Sequence, residues 1–75
     1  MDVRVVIGFN VRRIRQQRGW SQEEFAFKAD LHRTYVSGIE RGQRNPTATI
    51  IVKLADTLCV RPGVLFQAIP DSSSS

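Results

Sequence analysis

The tetrad Ser21-Gln22-Glu23-Glu24, standing just after Gly19, constrains this chain more than any other feature. The Ser21 hydroxyl can accept from the Glu24 backbone N–H, while the Glu24 carboxylate can reach back to the Ser21 N–H, which makes a capping box and fixes a helix start. The acids in the first turn also suit the positive end of the helix dipole. Gly19 supplies the left-handed residue that ends a preceding helix, and Trp20 sits between stop and start as an apolar plug. A helix stop so close to a helix start leaves two helices meeting at a corner, and it excludes a strand through this region.

The remaining pattern extends that reading in both directions. Residues 3–18 form a predicted helix with Val3, Ile7, Val11 and Ile14 on one face, and Arg4, Arg12, Arg13, Gln16 and Gln17 mostly on the other. The helix over 21–29 is short, with Phe25, Ala26 and Ala29 as its apolar side. Asp30-Leu31 is a tight connection. A third helix over 32–40 turns Tyr35, Val36 and Ile39 inward and leaves Arg33, Thr34, Ser37 and Gly38 outside. Gly42 and Pro46 make residues 41–46 a loop. Thr47 caps a fourth helix to about residue 58, buried through Ile51, Leu54, Ala55 and Leu58. Pro62 suits the first turn of a fifth helix to about residue 68, carrying Leu65, Phe66 and Ile69. The expected fold class is all-α: one compact five-helix domain over residues 1–69. Pro70 to Ser75 is read as a disordered polar tail.

Composition narrows the function classes. At 75 residues there is one core, and only about 60% of the chain's surface can be buried on folding. Eleven Lys and Arg against seven Asp and Glu give a formal charge of +4, which leans toward a polyanionic partner. One Cys excludes an intrachain disulfide, and one Cys with one His excludes a structural zinc site. The lone Cys59 is expected to be a small buried or half-buried residue. No apolar run is long enough to span a membrane, and no signal-peptide core follows Met1, so a cytoplasmic location is expected. There is no nucleophile–base pair, paired carboxylate set, phosphate loop or metal cluster. An enzyme, a cofactor and a small-molecule ligand are therefore not expected.

The segment from Gln22 to Arg41 carries the function. A helix, a tight turn and a second helix can pack at a steep angle when their closest contact is small, and Ala26 is that small residue. The outer face of the second helix is then free to project, and an α-helix fits the DNA major groove. The stretch from Val11 to Pro46 resembles the helix-turn-helix domain of phage repressors, Cro proteins and the XRE family. The matching residues are Ile14-Arg15, Gly19, Ser21 to Ala26, Val36-Ser37, Ile39-Glu40, Gly42, Arg44 and Pro46. Arg33 to Arg41 is also similar to the controller proteins of restriction–modification systems. Asp30 and Cys59 depart from the family, which favours Gly at both places.

The resemblance implies a sequence-specific DNA-binding transcriptional regulator, acting as a homodimer on a two-fold double-stranded operator. Arg33 is the expected base reader, with Thr34 and Ser37 on the same face. Gln22 is expected at a phosphate. Arg41, Arg44 and Asn45 are expected along the backbone, Arg44 reaching only phosphate, and Arg12, Arg13 and Arg18 add general positive field. The resemblance also implies an Arg15–Glu40 ion pair between the first and recognition helices. Leu65, Phe66 and Ile69 are the expected dimer contacts. The alternative reading is an antitoxin-type protein-interaction module on the same fold, for which the short polar tail offers no obvious toxin-binding segment.

Overall fold

The structure, a computed structural model, describes residues 1–70, so the expected polar tail lies, apart from Pro70, outside the described residues. Helix α1 (Val3–Gln17) starts at Asp2, whose carboxylate accepts from the Arg4 N–H at 3.0 Å. The Arg4 guanidinium pairs with it at 2.8 Å, and these hydrogen bonds hold the Asp2 carboxyl below its usual range. The chain then turns at Gly19, which is left-handed with φ 77°. Helix α2 (Gln22–Ala29) begins with the full capping box: the Glu24 N–H donates to Ser21 Oγ at 3.0 Å and the Ser21 N–H to Glu24 Oε1 at 3.1 Å. It ends on Asp30, left-handed at φ 55°, and the Leu31 N–H then donates back to the Ala26 carbonyl at 2.9 Å. Helix α3 (Arg33–Glu40) is capped by His32, whose Nδ1 accepts from the Thr34 N–H. Helix α4 (Ala48–Leu58) is capped by Thr47 and ends on Cys59, left-handed at φ 60°.

The expected fifth helix is instead a single 3-10 turn, Pro62–Phe66. Three local facts explain the correction. Gly63 is a poor helix former. Pro70 has no N–H to give the Phe66 carbonyl. The carbonyls of Leu65 and Gln67 are taken by the Asn10 side-chain amide, at 3.0 and 2.9 Å. The fold is thus four α-helices and one 3-10 turn, with no strand among the described residues.

One core joins every element. Ile7, Val11 and Ile14 of α1 meet Phe25, Ala26 and Ala29 of α2, Val36 and Ile39 of α3, Ile51, Leu54, Ala55 and Leu58 of α4, and Leu65 of the 3-10 turn. Positions on α1 differ from the periodic reading, Val6 among them, which is buried though not in the expected stripe. Val3, expected inward, lies on the first turn and is half exposed, while Asn10 is buried among the apolar residues at 1% exposure. Helix α1 is the spine: it packs on α3 and on the 3-10 turn, while α4 packs on α2 and the same turn. At Gly8 the backbones of α1 and α3 touch. A Cβ there would collide with the Ile39 carbonyl oxygen and lie 2.9 Å from that of Glu40.

Cys59 is exposed, not buried. Its left-handed backbone at the end of α4 carries the chain away from the helix, and the apolar face of that helix has already been supplied by Leu54, Ala55 and Leu58. Arg18 closes the same helix end. Its guanidinium donates to the Leu58 carbonyl at 2.6 and 3.2 Å, meeting an acceptor that has no partner within the helix.

Candidate nucleic-acid interface

Helices α2 and α3 are fixed relative to each other from behind, which leaves the front of α3 free. Val36 and Ile39 are fully buried against Phe25, Ala26 and Ala29. The polar fastening is the expected Arg15–Glu40 pair. Arg15 Nε lies 2.6 Å from Glu40 Oε2 and Nη2 lies 2.9 Å from Oε1, a bidentate contact with side chains only 10% and 3% exposed. The third guanidinium nitrogen donates to the Trp20 carbonyl at 2.8 Å. Glu40 also accepts from Gln22 Nε2 at 3.0 Å. One carboxylate thereby ties together the last turn of α1, the first residue of α2 and the end of α3.

The outer side of α3 carries Arg33 and Thr34, both exposed, and Ser37, half exposed. The chain leaves this helix through a reversed turn. The Gly42 N–H donates to the Ile39 carbonyl and the Gln43 N–H to the Gly38 carbonyl, with Gly42 left-handed at φ 73°. This is the double bond pattern that closes a helix on a C-terminal glycine. It sends Gln43, Arg44 and Asn45 back along α3, all exposed, before the chain is fixed again at buried Pro46. Arg41 is exposed too and leans on the Ser37 carbonyl. The Arg44 stem crosses Gly38 and its Cζ sits 5.7 Å from the centroid of the Tyr35 ring. Gly38 is therefore buried, contrary to its expected outward place, because the stem of Arg44 covers it.

The structure gathers Gln22, Arg33, Thr34, Ser37, Arg41, Arg44 and Asn45 onto α2, α3 and the loop that follows. It does not gather the expected dimer residues into one exposed patch. Leu65 is wholly buried in the core of the single chain, a correction to its expected interface role: on the 3-10 turn it points at α1 and α4. Phe66 is 47% exposed and Ile69 partly so. Arg18, expected to add general positive field, also caps α4 by donating to the neutral Leu58 carbonyl.

Sequence reasoning missed Asn10, whose amide holds the 3-10 turn, and the engagement of Gln22 by Glu40. A signal existed for Asn10, a polar residue at a position of α1 that falls within the apolar stripe of Ile7, Val11 and Ile14. Nothing marked Phe27, which stands 87% exposed on α2.

The corner of α2 and α3, the left-handed turn and the fastened back of α3 define a helix-turn-helix protein. The chain belongs to the helix-turn-helix family, whose profile it matches over residues 11–65. It is a DNA-binding regulator of the XRE type. It is 47% identical over 67 residues to the control protein C.BamHI of Bacillus amyloliquefaciens, covering 88% of this chain and 83% of that protein. The crystal structure of the restriction–modification controller protein C.AhdI from Aeromonas hydrophila superposes with a TM-score of 0.81 at 46% identity, over 84% of this chain and 96% of that one. The controller protein C.Esp1396I, solved as a tetramer in complex with its natural 35 base-pair operator, superposes at 0.79 with 36% identity, over 88% and 87% of the two chains. No helix among the described residues is long and apolar enough to cross a membrane.

Proposed function

We propose that this protein is a cytoplasmic controller-type regulator that binds a two-fold operator as a homodimer, with α3 in the major groove. The observation that carries the reading is the division of α3. Val36, Ile39 and Glu40 are held from behind, and Arg33, Thr34 and Ser37 are left in front. Arg33 lies in the first turn, where a side chain can reach a guanine edge with a bidentate guanidinium. Thr34 and Ser37 supply further contacts on the same face. Gln22, Arg41, Arg44 and Asn45 lie at its margins and grip phosphates, which set position without reading sequence. Phe66 and Ile69 join two copies, so that two reading helices meet half-sites about 34 Å apart or a multiple of that. The relative bound to its operator as a tetramer supports both the DNA and the assembly of copies.

The test starts from a DNA site enriched by the wild-type protein out of a random-sequence pool. Arg33→Ala is expected to weaken binding to that site by about 1–3 kcal/mol per half-site while leaving scrambled DNA nearly unchanged. Parallel loss on both DNAs would remove Arg33 as base reader. Sedimentation should show a dimer for the wild type and a monomer for Phe66→Asp, as loss of a central interface aromatic costs about 2 kcal/mol or more. A wild type that stays monomeric at tens of micromolar would sink the dimer.

A further inference from the structure

Gly38 stands in the middle of α3, and its backbone is ordinary helix, with no left-handed angle to require glycine. A mid-helix glycine destabilises relative to alanine, and what this helix receives in exchange is space. An ideal Cβ at residue 38 would lie 2.7 Å from Arg44 Cγ and 3.3 Å from Arg44 Nε. The stem of Arg44 fills the place that a side chain at residue 38 would take. One helical turn earlier, Tyr35 offers its ring face to the same guanidinium at 5.7 Å. Residues 35 and 38 are three apart and share one flank of the helix.

The loop is held so that Arg44 meets this track. Upstream, the Gln43 N–H bonds to the Gly38 carbonyl at 2.9 Å, and downstream Pro46 is buried. The ion pairs among the described residues are Asp2–Arg4, Arg15–Glu40 and a long Lys53–Asp30 contact, and none engages Arg44. A ring face orients a guanidinium without neutralising it. The charge stays available, and its position is set by two residues of the recognition helix.

We infer that Gly38 and Tyr35 are positioning residues: Gly38 opens a slot for the Arg44 stem and Tyr35 seats its guanidinium, so that Arg44 meets phosphate at a point fixed relative to α3. This rests on the DNA-binding reading above. Its consequence is register. A phosphate contact fixed to the reading helix sets how that helix sits in the groove, which a freely swinging loop arginine would not do.

The experiment combines a mutant cycle with a measurement that needs no DNA. On the site enriched from the random pool, Gly38→Ala and Arg44→Ala should each weaken binding about tenfold, near the low end for a charge-assisted hydrogen bond. The double variant should be no weaker than Arg44→Ala alone. The melting temperature of Gly38→Ala should equal or exceed that of the wild type, since alanine favours the helix; a melt that falls would mark a merely structural glycine and overturn the proposal. In the free protein, the Arg44 Nε–Hε resonance should be shifted upfield by the Tyr35 ring. That shift should persist in Tyr35→Phe and vanish in Tyr35→Leu and Gly38→Ala. An unshifted wild-type resonance overturns the slot, and additive losses in the cycle overturn the positioning role even where the shift is present. If the pool yields no enriched site, the DNA-binding reading fails, while the resonance still decides whether the slot exists.

Discussion

Helix α1 fastens two different regions by two buried polar side chains, and they work in opposite ways. Toward the helix-turn-helix, Arg15 meets a partner side chain, Glu40, charge to charge and in two hydrogen bonds. Toward the C-terminal 3-10 turn, Asn10 meets no side chain of that segment and grips the Leu65 and Gln67 carbonyls with one neutral amide. The first fastening depends on the identity of both residues. The second depends on one residue and on the path of the backbone. The recognition helix is thereby held by a contact that fails badly when half of it is removed, and the C-terminal segment by one that tolerates any sequence able to follow the same path.

The largest effect should come from Glu40→Ala, which leaves the Arg15 guanidinium buried without its carboxylate. Breaking such a pair costs about 3–5 kcal/mol, and chemical denaturation would read it. Replacing both residues by apolar ones of similar volume should recover most of the loss. A cost below about 1 kcal/mol for Glu40→Ala would mean that packing alone holds α3.

Asn10→Ala should cost less, about 1–3 kcal/mol, because it strands two backbone carbonyls but no charge. Amide hydrogen exchange should accelerate through residues 62–67 and leave α2 and α3 protected. Exchange that rises equally in α3 would show that the two fastenings are one cooperative unit and erase the contrast.

The smallest effect sharpens the comparison by using a junction that neither anchor touches. Cys59 and Asp30 end their helices with nearly the same left-handed backbone, at φ 60° and 55°. Asp tolerates that region better than Cys, so Cys59→Gly should stabilise by about 0.5–1 kcal/mol through relief of Cβ strain. Asp30→Gly should gain less. A melting temperature that drops for Cys59→Gly would show that its thiol or its stiffer unfolded chain outweighs the strain.

The same contrast explains what the sequence made legible. Caps, stops and the apolar faces of α2, α3 and α4 are local, and each was readable from residues a few positions apart. Arg15 and Glu40 lie far apart in sequence, and only the resemblance to a known family joined them. Asn10 gave half a signal, a polar residue in an apolar stripe, but its acceptors are main-chain atoms that no residue type announces. For the same reason the last element departs from its pattern: Leu65, Phe66 and Ile69 carry a helical spacing, but which of them turns inward is decided by Asn10 and the core. Within the candidate site, the outward set on α3 was visible. The crossing of Arg44 over Gly38 was not, because a glycine gives no hint of what occupies its empty side.

The bare contact at Gly8 turns the two ends of the protein into a single measuring instrument. At Gly8 itself no side chain stands between α1 and α3, so there a displacement of the spine passes to the reading helix through direct backbone contact. The C-terminal turn is gripped by that same spine. Two copies joined near Phe66 would therefore hold their recognition helices like the points of a fixed caliper, accepting half-sites at one separation and penalising the insertion or deletion of a single base pair between them.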